Sequence, residues 1–133
     1  MAATLTLEVA TPEKLAVTAE VTEATVPGAG GVLGILPGHA PLISEIEPGE
    51  LSYVTDGTKK IAVVSTGWVE VSNNLIRVLV DSFETSEEID VKRAEESLKR
   101  AMERLTNPRE DLDSARALNA MKRAQARLDI ARR

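Results

Sequence analysis

The stretch LIRVLVDSFETSEEIDVKRAEESL, residues 75–98, changes period in its middle. Leu75 to Val80 is a short run rich in β-branched residues, the mark of a strand. Val91, Ala94 and Leu98 instead advance by 3 and 4, as one face of a helix does. The chain therefore reads as two parts: an all-β N-terminal sandwich over residues 1–88 and a C-terminal α-helical hairpin over residues 89–133.

Upstream of this switch, period 2 prevails. Leu5, Leu7 and Val9 share one face while Thr4, Thr6 and Glu8 share the other, the alternation of a half-buried strand. Leu15 to Val21, Val32 to Leu36, Leu51 to Thr55, Lys60 to Ser65 and Trp68 to Val71 read as further strands. Asp56-Gly57 and Asn73-Asn74 between them supply residue types that accept the positive φ values of a type I′ hairpin turn. Many short strands at close spacing predict a small antiparallel sandwich or barrel, the sandwich being the reading adopted. The glycine-rich run from Pro27 to Gly31 precedes a strand and lacks a following Gly-Lys-Ser/Thr, so it reads as a flexible turn and not as a phosphate loop.

Downstream, the stripe continues through Ala101 and Leu105, and a second stripe follows at Ala117, Met121, Ala124, Leu128 and Ala131. Pro108 suits the first position of a new helix, with Asn107 as its N-cap and Glu110 completing a capping box. Alanine-rich stripes bury little area per residue, so the hairpin requires a docking surface to be stable.

Charge divides at the same boundary. The 133 residues carry a net −5, made of −9 over residues 1–89 and +4 over residues 90–133. Arg93, Arg100 and Arg104 share one face of the first helix, and Arg116, Arg123 and Arg127 one face of the second. Interleaved carboxylates and the lack of aromatic residues there argue against nucleic acid. Cysteine is absent and His39 is the single histidine, so Cys–His chemistry is excluded and no catalytic set or metal site can be assembled. No run offers the roughly 20 apolar residues of a membrane span, and the N-terminus lacks a secretory or transit pattern, which points to a mature cytoplasmic protein. Aromatic residues number three, Tyr53, Trp68 and Phe83, so the core must be aliphatic.

The remaining feature is the stretch from Gly31 to Leu42, where prolines and glycines frame an apolar run and place His39 at a tip, which reads equally as a sandwich corner or as a contact surface. Gly34-Ile-Leu-Pro-Gly-His-Ala-Pro-Leu42, with Val9-Ala-Thr-Pro-Glu13, Ser65-Thr-Gly-Trp-Val-Glu-Val71 and Glu88-Ile-Asp-Val-Lys-Arg-Ala94, resembles the epsilon-subunit family of the rotary F-type ATP synthase, in order and over essentially the whole chain.

The resemblance implies a non-catalytic central-stalk subunit whose sandwich holds the gamma subunit and rests on the c-ring, with Pro37, Gly38, His39 and Ala40 at that contact. It implies a hairpin that either lies against the sandwich or extends toward the alpha and beta catalytic subunits. There an acidic segment of beta would meet the basic faces and hydrolysis would be inhibited. It also implies a regulatory ATP site at Glu84, Ile89, Asp90, Arg93, Ala94, Arg123 and Arg127, with no required cofactor, although Asp90 equally suits the N-cap of the first helix. The complex would hold the chain as a peripheral subunit at the cytoplasmic face of a bacterial plasma membrane, a thylakoid membrane being the less favoured alternative. A free-standing ATP sensor or hairpin-binding module on a β-sandwich is the alternative reading.

Overall fold

The computed structural model describes residues 3–107 and 113–132. Ten strands come first: β1 (Leu5–Ala10), β2 (Leu15–Val21), β3 (Glu23–Gly28), β4 (Gly31–Ile35), β5 (Leu42–Ile46), β6 (Gly49–Thr55), β7 (Thr58–Val64), β8 (Gly67–Ser72), β9 (Leu75–Val80) and β10 (Phe83–Thr85). A single 3-10 turn, Ser86–Glu88, leads to α1 (Val91–Thr106) and α2 (Ser114–Ala131). The expected sandwich followed by a helical hairpin is thus the observed architecture.

Along the hydrogen-bonded ladder the order is β10-β7-β6-β3-β5-β8-β9-β1-β2, with β4 attached to β3. It folds over where β3 passes to β5, a junction held by one pair, Gly28 with Ile46. The inner faces enclose an aliphatic core that includes Leu5, Leu7, Val9, Ile46, Leu51 and Ile76, with Tyr53 at its margin and Phe83 packed against it. β1 alternates buried and half-buried positions as its sequence predicts. Its pairing with β9 is parallel, from Thr6–Leu75 to Ala10–Leu79, which departs from the antiparallel expectation.

Both expected hairpin turns form with positive φ, at Asp56 (50°) and Gly57 (74°), and at Asn73 (52°) and Asn74 (58°). Gly67 is required for a different reason: a Cβ there would lie 1.9 Å from the Leu79 carbonyl oxygen, so only glycine lets β8 close on β9.

Three strands escape the sequence reading. Pro27 and Gly28 are not a flexible turn but the end of β3, paired with Val32 and Gly31, and only Ala29 and Gly30 turn. β5 and β10 were not expected at all. The second helix also starts later than Asn107 suggests. Asn107 caps the C-terminus of α1, its N–H donating to the Glu103 carbonyl at 2.9 Å. Asp113 is the N-cap of α2, its carboxylate accepting the Arg116 N–H at 3.0 Å. Pro108 and Glu110, the other parts of the expected cap, lie outside the described residues.

The hairpin is antiparallel, and Arg132 beyond α2 reaches Glu95 near the start of α1 at 3.6 Å. Ala94 and Ala101 of α1 and Ala117, Ala124 and Leu128 of α2 are buried, as the two stripes predict, whereas Val91 stays exposed and Leu98 and Leu105 half-buried. α2 lies over β6 and β7, and α1 packs mainly on α2. That seat explains why Ser52 and Val63 are buried although neither belongs to the sandwich core: by alternation with Leu51 and Val64 they face outward, under α2.

Candidate functional site

The seam between α2 and the sandwich carries most of the unusual chemistry. Two cations of α2, Lys122 and Arg127, reach carboxylates far away in the chain. Lys122 Nζ donates to Glu47 Oε2 at 3.0 Å, in the turn between β5 and β6. Arg127 Nη2 donates to Glu84 Oε1 on β10, with both side chains half-buried. Among the described residues, Arg127 Nε is a buried polar atom with no hydrogen-bond partner. Beside it, burial pushes the Arg123 guanidinium below its ordinary value, and neighbouring Arg127 adds to this; Glu84 and Asp81 act the other way, and Arg116 adds a smaller lowering. The seam is therefore a cluster of desolvated guanidinium groups bordered by the acidic sandwich.

Local bonds fix the acids in place. Thr66 Oγ1 donates to Asp81 Oδ2 at 3.1 Å, and the Ser82 N–H donates to Ser65 Oγ at 2.7 Å, which pins the corner between β9 and β10. On the other side the Glu47 N–H donates to the Pro27 carbonyl at 2.9 Å, so β3 anchors the turn that projects its carboxylate.

The residues singled out around the start of α1 divide in two. Asp90 accepts the Arg93 N–H at 3.1 Å and is a helix N-cap. Ile89 is half-buried, Ala94 is buried against the hairpin partner, and the Arg93 side chain is exposed. Arg100 and Arg104 are exposed as well, Arg100 donating to Ser97 Oγ at 3.2 Å, as is Arg116 on α2. Glu84, Arg123 and Arg127 are brought together. The Arg132–Glu95 pair shows the C-terminal end of α2 beside the N-terminal part of α1, the helix that Asp90 caps.

At the Pro37–Ala40 loop, Gly38 adopts φ +82°, and its N–H donates to Asn74 Oδ1 at 2.8 Å, so the loop is buttressed on the β8–β9 turn. His39 Nδ1 lies 2.7 Å from the Ala40 carbonyl oxygen, which can only accept; Nδ1 therefore carries the proton. That leaves Nε2 as the face available to a partner. Leu36 beside it is exposed.

Cross-strand register reveals a further surface. Trp68 pairs with Leu79, Leu79 with Ala10, and Ala10 with Leu15, so one apolar row crosses β8, β9, β1 and β2 on the outer face. Trp68, Leu79 and Leu15 are all more than 45% exposed, and Ala10 is half-buried. No face is assigned to these side chains from sequence, and only the register lines them up.

Comparison with known proteins agrees with this architecture. Residues 4–86 match the family model described as ATP synthase, Delta/Epsilon chain, beta-sandwich domain, and residues 87–132 match its long alpha-helix domain. The ATP synthase epsilon chain of Solibacter usitatus is 48% identical over 105 residues, 79% of this chain and 78% of the relative. That of Koribacter versatilis is 47% identical over 79% of this chain and 74% of the relative. In fold, the chain matches one in the cryo-EM structure of the Euglena gracilis mitochondrial ATP synthase with a TM-score of 0.85 at 22% identity, covering 98% of this chain and 82% of that one. Sandwich, hairpin and sequence likeness together lead to one conclusion: the chain belongs to the ATP synthase delta/epsilon chain family, among its epsilon chains, which are non-catalytic subunits of the synthase.

Proposed function

We propose that the chain works as a rotor subunit of the central stalk, coupling proton flow to ATP synthesis through its sandwich and restraining ATP hydrolysis through its hairpin. The sandwich seats the gamma subunit on the Trp68–Leu79–Ala10–Leu15 row and meets the c-ring or gamma at Pro37, Gly38, His39 and Ala40. The brake is the set of arginines at 93, 100, 104, 116, 123 and 127, which meets an acidic segment of the beta subunit when the hairpin leaves the sandwich. In a bacterium the complex holds the chain at the cytoplasmic face of the plasma membrane.

The observation that carries this reading is the seat of α2. A helix that buries only Ala117, Ala124, Leu128 and Ile130, and whose cations sit against carboxylates of another unit, is suited to exchange one acidic partner for another. ATP hydrolysis by a catalytic core stripped of its own epsilon chain, titrated with the full chain and with a truncation ending at Glu88, tests it. Inhibition by the full chain alone, with both forms bound, is expected; binding of neither overturns the rotor role. Stable co-purification with gamma separates this reading from a free-standing module, which needs no such partner.

We further propose that the seam takes ATP as a regulatory ligand. The donor set suits a phosphate chain, because Arg123 and Arg127 are desolvated guanidinium groups and Arg127 Nε lacks a partner among the described residues. Glu84 is the acid that would have to share or release Arg127, and Asp90 keeps its capping bond to the Arg93 N–H, with Ile89 and Ala94 flanking that turn in sequence. A rise in melting temperature at millimolar ATP is expected, and no shift at saturating nucleotide removes the site.

A further inference from the structure

β2 and β10 are the two ends of the hydrogen-bonded ladder, so the sandwich has a gap along which strand edges face each other. At one end the gap is shut: the Thr22 N–H donates to the Val54 carbonyl at 2.9 Å and Thr55 Oγ1 to the Glu20 carbonyl at 2.8 Å. At the other it is open. Val17 pairs with Val9 and Leu15 with Ala10, which leaves Ala16 as an extra residue, and a bulge of this kind bends its strand. Across the gap, β10 follows β7 only as far as the Thr85–Ala62 pair before the chain turns off at Ser86–Glu88. Lys59, Lys60 and Ile61 pair with β6 and have no strand on their other side among the described residues.

The open end is a cleft of about 700 Å³, the size of a small-ligand site. Val17, Tyr53, Ala62 and Phe83 give it apolar walls, and Ile130 at the end of α2 completes them. The mouth is charged. Lys60 lies opposite Tyr53 and shares a face of β7 with Ala62, so the inner face of the sheet ends in an ammonium group, with Lys59 beside it. Residues 1–89 hold four cations, and two of the four stand here. Neither lysine makes an ion pair among the described residues. Glu87 is the one acid lining the cleft, so two lysines against it leave one net positive charge.

Tyr53 adds a hydrogen-bond donor. It is 8% exposed, burial pushes its phenol above the ordinary value, and its hydroxyl has no hydrogen-bond partner among the described residues. A desolvated hydroxyl left without a partner is costly, and an incoming oxygen would satisfy it. Apolar walls call for hydrocarbon, and a single net charge with a donor beside it calls for a monoanion in preference to a phosphate chain.

We propose that the open end of the sandwich binds a small anionic amphiphile, a medium-chain carboxylate, with its alkyl chain against Val17 and Phe83 and its head met by Lys60, Lys59 and the Tyr53 hydroxyl. The site requires no part of the rotor reading.

Decanoate below its micelle-forming concentration, titrated into the isotope-labelled full-length chain and followed by amide NMR, tests it. Saturable shifts centred on Val17, Lys60, Ala62 and Phe83 are expected. Lys60→Ala should weaken binding about five- to tenfold and Tyr53→Phe, which keeps the ring, about three- to tenfold. Lys14→Ala, a sandwich cation away from the cleft, should bind as the parent does, and a parent-like spectrum elsewhere shows each variant to be folded. Decanol, the same tail without the charge, should bind about tenfold more weakly.

Shifts centred instead on the exposed row around Trp68, or none that saturate, overturn the site. Equal binding of decanol and decanoate overturns the anionic head. Shifts with phosphatidylglycerol vesicles but not with free decanoate would mean a membrane surface and overturn the free ligand. Parent-like affinity in Lys60→Ala, joined to self-association of that variant, would make the lysine a guard of an open strand edge and overturn its part in binding.

Discussion

Trp68 on β8 sits directly across from Leu79 on β9, and the two side chains are 55% and 50% exposed on the outer face of the sandwich. Large apolar side chains in adjacent register, extended by Ala10 and Leu15, form a patch of the kind that marks an interface. Replacing Trp68 by alanine is expected to weaken gamma binding about 10- to 100-fold, a loss of about 1.4–2.8 kcal/mol. Stability in urea should change by less than about 1 kcal/mol, because the ring does not serve the core. Trp68 is the only tryptophan. Its emission in the parent chain should therefore shift to the blue on binding gamma, and an unmoved spectrum in a stable complex would place the interface elsewhere.

The buttressed loop at His39 yields a second expectation. With Nδ1 committed to the Ala40 carbonyl, a partner reads Nε2. His39→Ala should lower proton pumping by a reconstituted complex while leaving the melting temperature of the free chain within about 2 °C, since the ring is half-buried at a loop and outside the core. Undiminished pumping would remove His39 from the coupling contact.

Leu128 tests the hairpin as a separate unit. It is 2% exposed and is the largest fully buried side chain of α2. Leu128→Ala should cost about 2–5 kcal/mol at a site that starts with little apolar area. The expected result is loss of helical ellipticity at temperatures where the near-ultraviolet signal of Trp68 persists. A single transition lost in concert would mean that sandwich and hairpin unfold as one.

Glu20 supplies a pH test. Hydrogen bonds from Thr6, the larger effect, and from Thr4 hold its carboxyl below the ordinary glutamate value, with donor distances of 2.6 and 3.0 Å. Because the folded value is the lower one, these bonds favour the folded state fully above the unfolded-state value, and the advantage fades as pH falls through the folded one. Thr6→Val should raise the Glu20 titration midpoint in a carboxyl-carbon NMR titration and narrow the acid range in which stability declines. An unmoved midpoint would assign the shift to another group.

How far the fold could be read from sequence depended on whether a signal was local. Leu5, Leu7 and Val9 alternate within one strand, and Asp56-Gly57 carries its turn in two adjacent residues, so both were legible. β3 was not, because Pro27 and Gly28 look like turn formers; as the end of a strand Pro27 loses nothing, and its carbonyl accepts the Glu47 N–H. The second helix began late for a similar reason, since Asn107 and Asp113 are both good caps and the local signals at Pro108 and Glu110 favoured the first, whereas Asp113 is the one that accepts the Arg116 N–H. At the site, Arg123 and Arg127 were visible as a helical face and Glu84 through family likeness. Lys122 and Glu47, separated by 75 positions, leave no periodic trace, and only the packing of α2 on the β5–β6 turn joins them.

The parallel pairing of β1 with β9 bears on how the chain acquires its structure. The sandwich cannot close until the strand ending at Val80 has been made, because β1 waits for a neighbour about seventy residues later. Its folding is accordingly governed by a long-range closure and should be slow for its size, whereas α1 and α2 rely on local contacts and form quickly once a surface exists for them. The hairpin is then the last piece to settle and should be the first to exchange its amide protons, so the chain carries it as a low-stability unit on a scaffold already complete.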